Sequence, residues 1–188
     1  MADQTRFDAT IGRIDAVNAQ DPYGKELLYA RRMTAWLGRI EPGASEALRI
    51  AARGQHVRRW AIPRSDYPMD RIGYLKWRTT LYKFHADELA GIMAQTGYDA
   101  ETIARVGSLV RKERIKSDPE AQTLEDVICL VFLENYFAEF AASHDEEKVV
   151  NILRKTWGKM SERGRGVALT LEIPSAARRL VERALSDS

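Results

Sequence analysis

The chain has 188 residues, the size of one domain, and its hydrophobic content of 45% excludes an intrinsically disordered protein. Lys and Arg number 29 against 27 Asp and Glu, and the formal net charge of +2 excludes a broadly basic nucleic-acid coat. Its one cysteine, Cys129, excludes an intramolecular disulfide and a thiolate metal cluster. No apolar run of about 18 residues and no signal-peptide pattern occurs, which predicts a soluble, cytoplasmic protein with no place in a membrane.

Helical periodicity dominates the first half of the chain. Apolar residues spaced by three and four predict one helix at about 7–18 and a second at about 25–40. Ser45 is a suitable N-cap for a third helix that runs toward His56, and two prolines within 61–69 predict an irregular segment. A long helix is then expected at about 70–96, closed by a glycine.

The second half continues the pattern. Asp99 is expected to cap a helix that ends near residue 117, and the apolar run within 124–142 indicates a helix buried in the middle of the bundle. A helix at about 145–162, a loop at Gly164 and Gly166, and a last helix opened by Pro174 complete the chain. The sequence therefore predicts an all-α, single-domain bundle of seven to eight helices over 1–188.

Basic residues are concentrated between His56 and Lys83. This stretch holds seven basic and two acidic residues, a net charge of +5, which leaves −3 for the rest of the chain. Aromatic residues crowd the same stretch, and Arg interleaved with aromatic rings recognises planar anions such as nucleotides and phosphate esters. The candidate substrate-binding residues are Arg58, Arg59, Arg64, Arg71, Tyr74, Arg78 and Tyr82.

The same basic residues also have a structural interpretation. Arg71, Arg78 and His85 lie seven residues apart, so they drift by only about 20° per step around the long helix. Arg side chains on such a helix often pair with Glu on a neighbour, and aromatic rings at this spacing often belong to the core. Arg111 and Lys112 either end a helix favourably or widen the basic surface. One basic stretch is weak evidence for nucleic-acid binding, so we expect an anionic small-molecule ligand instead.

Histidine and carboxylate residues form a second candidate site. His56 ends an alanine-rich helix, His85 lies within the long helix, and Glu125 and Asp126 begin the most apolar helix. Burying ionised carboxylates is costly unless they pair with Arg or bind a metal. Each residue also has a structural alternative, as a satisfied core histidine or a carboxylate at a helix start. Glu26 is either a further contributor or a residue that favours the start of its own helix.

The order of these elements resembles the HD-domain superfamily, a group of all-α metal-dependent phosphohydrolases with some diiron oxygenase relatives. The resemblance covers roughly residues 25–140, taken as an HD-like core that is followed by C-terminal helices at 145–187. It rests on the segment 48–56 that ends in Arg-Gly-Gln-His, on Phe-His-Ala at 84–86, and on Leu-Glu-Asp-Val at 124–127.

This resemblance implies one divalent metal, whose identity the sequence does not give. The implied metal ligands are His56, His85 and Asp126, and Glu125 would be a further ligand or the catalytic general base. The chain departs from the family in two places. Val57 stands where the family has a bridging Asp, and no histidine precedes His56, so that only Glu26 or Tyr29 could stand near the first ligand position.

Nearly the whole chain resembles, more closely, an uncharacterised family described as domain of unknown function 4202. The segments 25–29, 55–60, 62–64, 67–69 and 111–114 carry this second resemblance, which implies no known activity.

Two functions follow from these features. The first is an HD-like, metal-dependent hydrolase acting on a phosphorylated or nucleotide-like small molecule. The alternative is a degenerate, non-catalytic HD-like module that binds an anionic ligand or a partner protein through its Arg and aromatic residues. The sequence leaves the oligomeric state open.

Overall fold

The computed structural model describes residues 2–115 and 117–186, and every regular element in those ranges is helical. The all-α prediction is therefore confirmed. None of the described helices is both long and apolar enough to span a membrane. Two short 3₁₀ helices, Arg59–Ala61 and Arg64–Asp66, accompany the α-helices. The α-helices are α1 (Ala2–Asn18), α2 (Glu26–Ile40), α3 (Glu46–Arg53), α4 (Arg71–Gln95), α5 (Ala100–Val110), α6 (Pro119–Asn135), α7 (Phe137–Ala142), α8 (Glu146–Trp157), α9 (Glu162–Leu169) and α10 (Ser175–Ser186).

The prediction of seven to eight helices is wrong, because ten α-helices occur in the described part of the chain. The helix expected over 124–142 is interrupted at Tyr136, whose φ of −129° lies outside the helical range, so α6 and α7 are separate. The loop expected at Gly164 and Gly166 is helical and forms α9. Ser161 caps α9, because its side chain accepts a hydrogen bond from the Gly164 amide.

The chain divides into two compact units, Met1–Ala121 and Gln122–Ser188. This division does not test the predicted single domain, its core at 25–140 or its C-terminal helices at 145–187, which stay predictions. Residues 1, 116, 187 and 188 lie outside the described ranges, and with them both ends of the predicted domain (1 and 188) and the last residue of the predicted C-terminal helices (187).

The first unit is built around α3, α4 and α5. Helices α3 and α4 pack on α5, and α1 and α2 pack on α3. Met33, Leu48 and Leu89 are almost fully buried in this unit. Arg53 is also buried, and its guanidinium donates to Asp15 on α1 (Nε to Oδ1, 2.7 Å) and to the Thr34 hydroxyl on α2 (3.2 Å). One charged side chain therefore joins three helices, with its hydrogen bonds satisfied.

The segment of residues 54–70 connects α3 to α4. Its backbone groups form hydrogen bonds with side chains of other elements, which hold it in place. His85 on α4 contacts the Val57 carbonyl through Nδ1 (2.8 Å), and the indole of Trp77 donates to the Ile62 carbonyl (2.9 Å). Arg58 adopts a left-handed conformation (φ 55°), and its amide donates to the Asn18 side chain (3.1 Å). These contacts fix a segment that has no long helix of its own.

The second unit depends on a buried carboxylate in α6. Asp126 is 4% exposed and accepts hydrogen bonds from the Ser161 amide (2.8 Å), the Ser161 hydroxyl and the Gln122 side chain (3.1 Å). Gly164 allows this close approach, because a Cβ atom at that position would lie 2.6 Å from Asp126 Cγ. Asp126 therefore anchors the start of α9 to α6. In the same unit, α8 packs on α10.

Replacing this anchor is expected to destabilise the second unit. We predict that Asp126→Ala lowers the free energy of unfolding by about 2–4 kcal/mol, because it leaves buried donors without an acceptor. Urea denaturation measures the change. The matched control is Glu139→Ala at an exposed position of α7, which should change the stability by less than about 0.5 kcal/mol. Equal stability of the two variants would contradict a structural role for Asp126.

Candidate functional site

The first unit gathers basic, histidine and aromatic side chains from α2, the connecting segment 54–70, α4 and the turn after α5. Their contacts and electrostatic interactions converge on the ring of His56. We call this group the Arg–His cluster. Its members are Glu26, Tyr29, His56, Arg59, Tyr74, Arg78, Tyr82, His85 and Lys112.

His85 forms the buried base of the cluster. Its ring is 1% exposed, and Nδ1 lies 2.8 Å from the Val57 carbonyl oxygen, so Nδ1 carries the proton and donates it. Burial lowers the pKa of His85 to about 4, which keeps the imidazole neutral at neutral pH. The lone pair is therefore on Nε2, which is closed to solvent and has no hydrogen-bond partner among the described residues.

His56 lies above this base and is partly open to solvent, with 24% of its side chain exposed. Its ring stacks on Tyr29, with the centroids 3.9 Å apart and the planes at 9°, and lies 5.9 Å from the His85 ring. Nδ1 lies 3.4 Å from the Glu26 carboxyl group, and Nε2 lies 3.5 Å from an Arg59 guanidinium nitrogen. The carboxyl group favours a proton on Nδ1, and the guanidinium favours a lone pair on Nε2.

The protonation of His56 is determined by its surroundings. Burial lowers the pKa of His56 well below its usual value, and the charge of Arg59 lowers it further, followed by those of Lys112 and Arg78. His56 is consequently neutral at physiological pH. Of these cations, Arg59 lies beside the ring at 3.5 Å, and Arg78 and Lys112 both lie against the Tyr82 side chain.

Glu26 is the carboxyl group beside His56. Burial raises the pKa of Glu26 to about 7, and the Asp21 carboxylate raises it as well, although Arg59 and Lys25 oppose these effects. Asp21 is held nearby because it accepts hydrogen bonds from the backbone amides of Lys25 (2.7 Å) and Glu26 (3.0 Å) at the start of α2. Near pH 7, Glu26 therefore neutralises only part of the positive charge of the cluster.

Aromatic groups hold the two arginines of the cluster. The Arg59 guanidinium lies 4.7 Å from the centroid of the Trp77 ring. Arg78 donates to the hydroxyl groups of Tyr74 (3.5 Å) and Tyr82. Because these partners are uncharged, they position the guanidinium groups without neutralising them. The ammonium of Lys112 lies 5.5 Å from the centroid of the Tyr82 ring.

The predicted substrate-binding residues separate into two groups. Arg59, Tyr74, Arg78 and Tyr82 belong to the Arg–His cluster. The other three do not, and the contacts of two of them explain why. Arg58 pairs with Glu88 (3.3 Å), and Arg64 donates to the backbone carbonyls of residues 67, 68 and 70, which braces the connecting segment. Arg71 is exposed at the first turn of α4 and makes no hydrogen bond or ion pair with the described residues.

The predicted carboxylate ligands have structural contacts in the second unit. Asp126 accepts the three hydrogen bonds described above, and Glu125, which is 4% exposed, lies 3.8 Å from the Lys159 ammonium. Within the described residues, no group of three or more His, Cys, Asp or Glu is arranged to hold a metal ion. The Arg59 guanidinium, 3.5 Å from Nε2 of His56, repels a divalent cation and so disfavours a metal at that atom. The metal centre and the catalytic role of Glu125 stay predictions.

Sequence reasoning did not identify Glu26 and Tyr29 as partners of His56. It named both as residues near a missing ligand position and Glu26 also as a further contributor to the histidine and carboxylate site, and their spacing of three places both on one face of α2. Lys112 was named as a residue that could widen the basic surface, and it does lie in the cluster. The only sequence feature that marks Glu26 is its position at the start of a helix. An acidic residue at that position ordinarily stabilises the helix N-terminus, so the feature does not single out a site residue.

The comparison with protein families gave a match that covers most of the chain. The family model described as Domain of unknown function (DUF4202) matches residues 8–181, a range that includes every member of the Arg–His cluster. The comparisons with curated proteins and with solved structures each gave no match.

The raised pKa of Glu26 predicts a pH-dependent stability. The group ionises near its usual 4.5 in the unfolded chain and near 7 in the folded protein, so the folded state binds more protons between these values. Its contribution to stability therefore falls as the pH rises from about 4.5 to 7. We predict that Glu26→Gln stabilises the protein by about 1–3 kcal/mol at pH 8 and by much less at pH 5.

Thermal denaturation at the two pH values measures this difference. Glu101→Gln, at an exposed position of α5, is the matched control and should not change the stability at either pH. A Glu26→Gln variant that is less stable than the unmodified protein at pH 8 would contradict a net cost of ionising Glu26.

Proposed function

The chain belongs to the family described as Domain of unknown function (DUF4202), and for this member we propose that the Arg–His cluster binds a small, phosphate-bearing anion. The observation that carries this proposal is a grouping of three cations: Arg59 lies 3.5 Å from His56, Arg78 donates to the Tyr82 hydroxyl, and Lys112 lies 5.5 Å from the centroid of the same Tyr82 ring. Like charges held close together repel each other, and a bound anion converts that repulsion into attraction. Only one carboxyl group of the cluster, Glu26, opposes them, and it is half protonated near pH 7.

The donor chemistry favours phosphate over other anions. A guanidinium group presents two parallel N–H donors that match two phosphate oxygens, and the cluster contains two such groups. The Tyr74 hydroxyl accepts a hydrogen bond from Arg78, so its own proton remains available for a phosphate oxygen. Tyr74 is 42% exposed and Arg78 is half-buried, so a ligand can reach this side of the cluster from solvent.

The finer predictions made from the sequence keep the status of proposals. An HD-like arrangement of the helices, a divalent metal and a hydrolase activity rest on the resemblance of residues 25–140 to the HD-domain superfamily. A cytoplasmic location rests on composition. The contacts of the Arg–His cluster support the part that both predicted functions share, which is the binding of an anionic ligand through Arg and aromatic residues.

Substitution of one cation tests the proposal. We predict that ribose 5-phosphate binds to the protein and that Arg78→Met weakens this binding about tenfold or more, because a hydrogen bond to a charged group contributes about 1.5–3 kcal/mol. Isothermal titration calorimetry measures both dissociation constants. Ribose, which lacks the phosphate, should not bind.

The matched control is Arg71→Met, which removes an exposed arginine from the same helix seven residues earlier. This variant should bind ribose 5-phosphate as the unmodified protein does. An equal loss in both variants would indicate a diffuse effect of net charge and would contradict a defined site. Absence of binding to inorganic phosphate and to ribose 5-phosphate alike would overturn the proposal.

A further inference from the structure

We propose that His56 is a nucleophile that takes a phosphoryl group from the bound anion onto Nε2 and forms a transient phosphohistidine. This inference rests on the proposed function, because the Arg–His cluster must first hold a phosphate-bearing ligand. It adds a chemical step and a substrate class to that binding site. The step requires a neutral imidazole, a lone pair that faces the phosphoryl group, and a group that stabilises the imidazolium formed.

The first requirement is a neutral ring, since a protonated imidazole has no lone pair with which to attack. His56 meets it because an Arg59 guanidinium nitrogen, which is itself a donor, lies 3.5 Å from Nε2 and disfavours a proton on that atom. His56 also has 24% of its side chain exposed, so a ligand can approach it. His85 is neutral as well, but its ring is 1% exposed and it acts through the Val57 carbonyl as a positioning residue.

The second requirement concerns the direction of the lone pair. Glu26 lies beside Nδ1 of His56 at 3.4 Å, and Arg59 lies beside Nε2 at 3.5 Å. A phosphoryl oxygen that replaces His56 as the acceptor of the Arg59 N–H group is therefore held next to Nε2. The parallel stack on Tyr29 restrains rotation of the ring, which keeps Nε2 directed at this position.

The third requirement is charge stabilisation during the reaction. When Nε2 bonds to phosphorus, the imidazole gains a positive charge while Nδ1 keeps its proton. The Glu26 carboxylate beside Nδ1 stabilises that charge, and Arg59, Arg78 and Lys112 stabilise the phosphoryl oxygens. A carboxylate that orients an imidazole in this way is a general device for activating histidine.

The bonds and electrons of the step balance without a redox partner. The Nε2 lone pair forms the N–P bond, the P–O bond to the leaving group breaks, and its electron pair stays on the leaving oxygen. Attack of water on phosphorus then breaks the N–P bond, releases inorganic phosphate and restores neutral His56. The net reaction is hydrolysis of the donor, with one water consumed for each phosphoryl group.

The surroundings of Nε2 also indicate the class of substrate. Arg59 is the group beside Nε2 (3.5 Å), and Glu26 lies on the opposite side of the ring at Nδ1 (3.4 Å). A guanidinium group does not readily give up a proton near pH 7. An alkoxide leaving group needs such a proton, whereas a carboxylate or a phosphate leaves without one. The favoured donors are therefore acyl phosphates and phosphoanhydrides, and simple sugar phosphates are expected to bind without reacting.

The test uses acetyl phosphate, the smallest acyl phosphate, and detects the phosphoryl group on the protein. Mass spectrometry of the intact chain and of peptides prepared at neutral to basic pH, where phosphohistidine survives, locates the modification. We expect phosphorylation at His56 in the unmodified chain and in His144→Asn, and none in His56→Asn. His144 is a stringent internal control, because it is exposed and should nevertheless remain unmodified.

A second variant separates chemistry from folding. Glu26→Gln keeps the size of the side chain but removes the carboxylate, so it should slow phosphorylation about tenfold to 100-fold, whereas loss of the negative charge that opposes the cations should strengthen the binding of ribose 5-phosphate. Binding of ribose 5-phosphate without any phosphoryl transfer to His56, or equal labelling of His144, would overturn the nucleophile and leave the proposed binding function intact. Absence of phosphate binding would overturn both.

Discussion

The candidate site depends on one buried hydrogen bond, from Nδ1 of His85 to the carbonyl oxygen of Val57. Both partners are shielded from water, where an unsatisfied polar group costs about 1–3 kcal/mol, so the bond fixes the connecting segment against α4. It also fixes the tautomer of His85. Because His56 immediately precedes Val57, the same bond brings the second histidine ring to its position 5.9 Å away.

The electrostatics of the cluster follow from how its cations are held. Arg59 lies over an indole ring, with the partly ionised Glu26 as its nearby carboxyl group, and Arg78 donates to two phenol groups. Elsewhere in the same unit arginines do form ordinary ion pairs, as Arg53 does with Asp15. Burial and the nearby positive charge keep His56 neutral, whereas burial and the Asp21 carboxylate keep Glu26 only partly ionised against the opposing effect of Arg59. A chain of nearly balanced composition thus contains a small region of strong positive potential.

The buried carboxylates of α6 illustrate why such residues are ambiguous in a sequence. A carboxylate within an apolar helix predicts either a metal ligand or a hydrogen-bonded anchor, since both compensate the cost of burial. In the second unit, Asp126 receives backbone and side-chain donors from Ser161, a residue 35 positions away. No local pattern in α6 specifies that partner, which is why sequence reasoning weighed the metal first.

Local features of the fold were predictable because they arise within a few residues. The sequence by itself determined the helical class and the caps at Ser45 and Asp99, whose side chains accept from amides three residues later. It also determined the basic, aromatic composition of residues 56–83, which contributes most of the cations of the site. These properties depend on hydrogen bonds, and on the spacing of residues, within a single helix or turn.

Only the tertiary structure decided which of those residues act together. Arg71, Arg78 and His85 share one spacing along α4, yet Arg71 is exposed, Arg78 is half-buried and His85 is closed to solvent. Periodicity gives the direction of a side chain around its helix axis, but it does not say which element stands opposite at each turn. The pairing of Glu26 with His56 has the same cause. The two residues lie in segments that are distant in the sequence, and only the packing of those segments brings the Glu26 carboxyl group to 3.4 Å from His56 Nδ1.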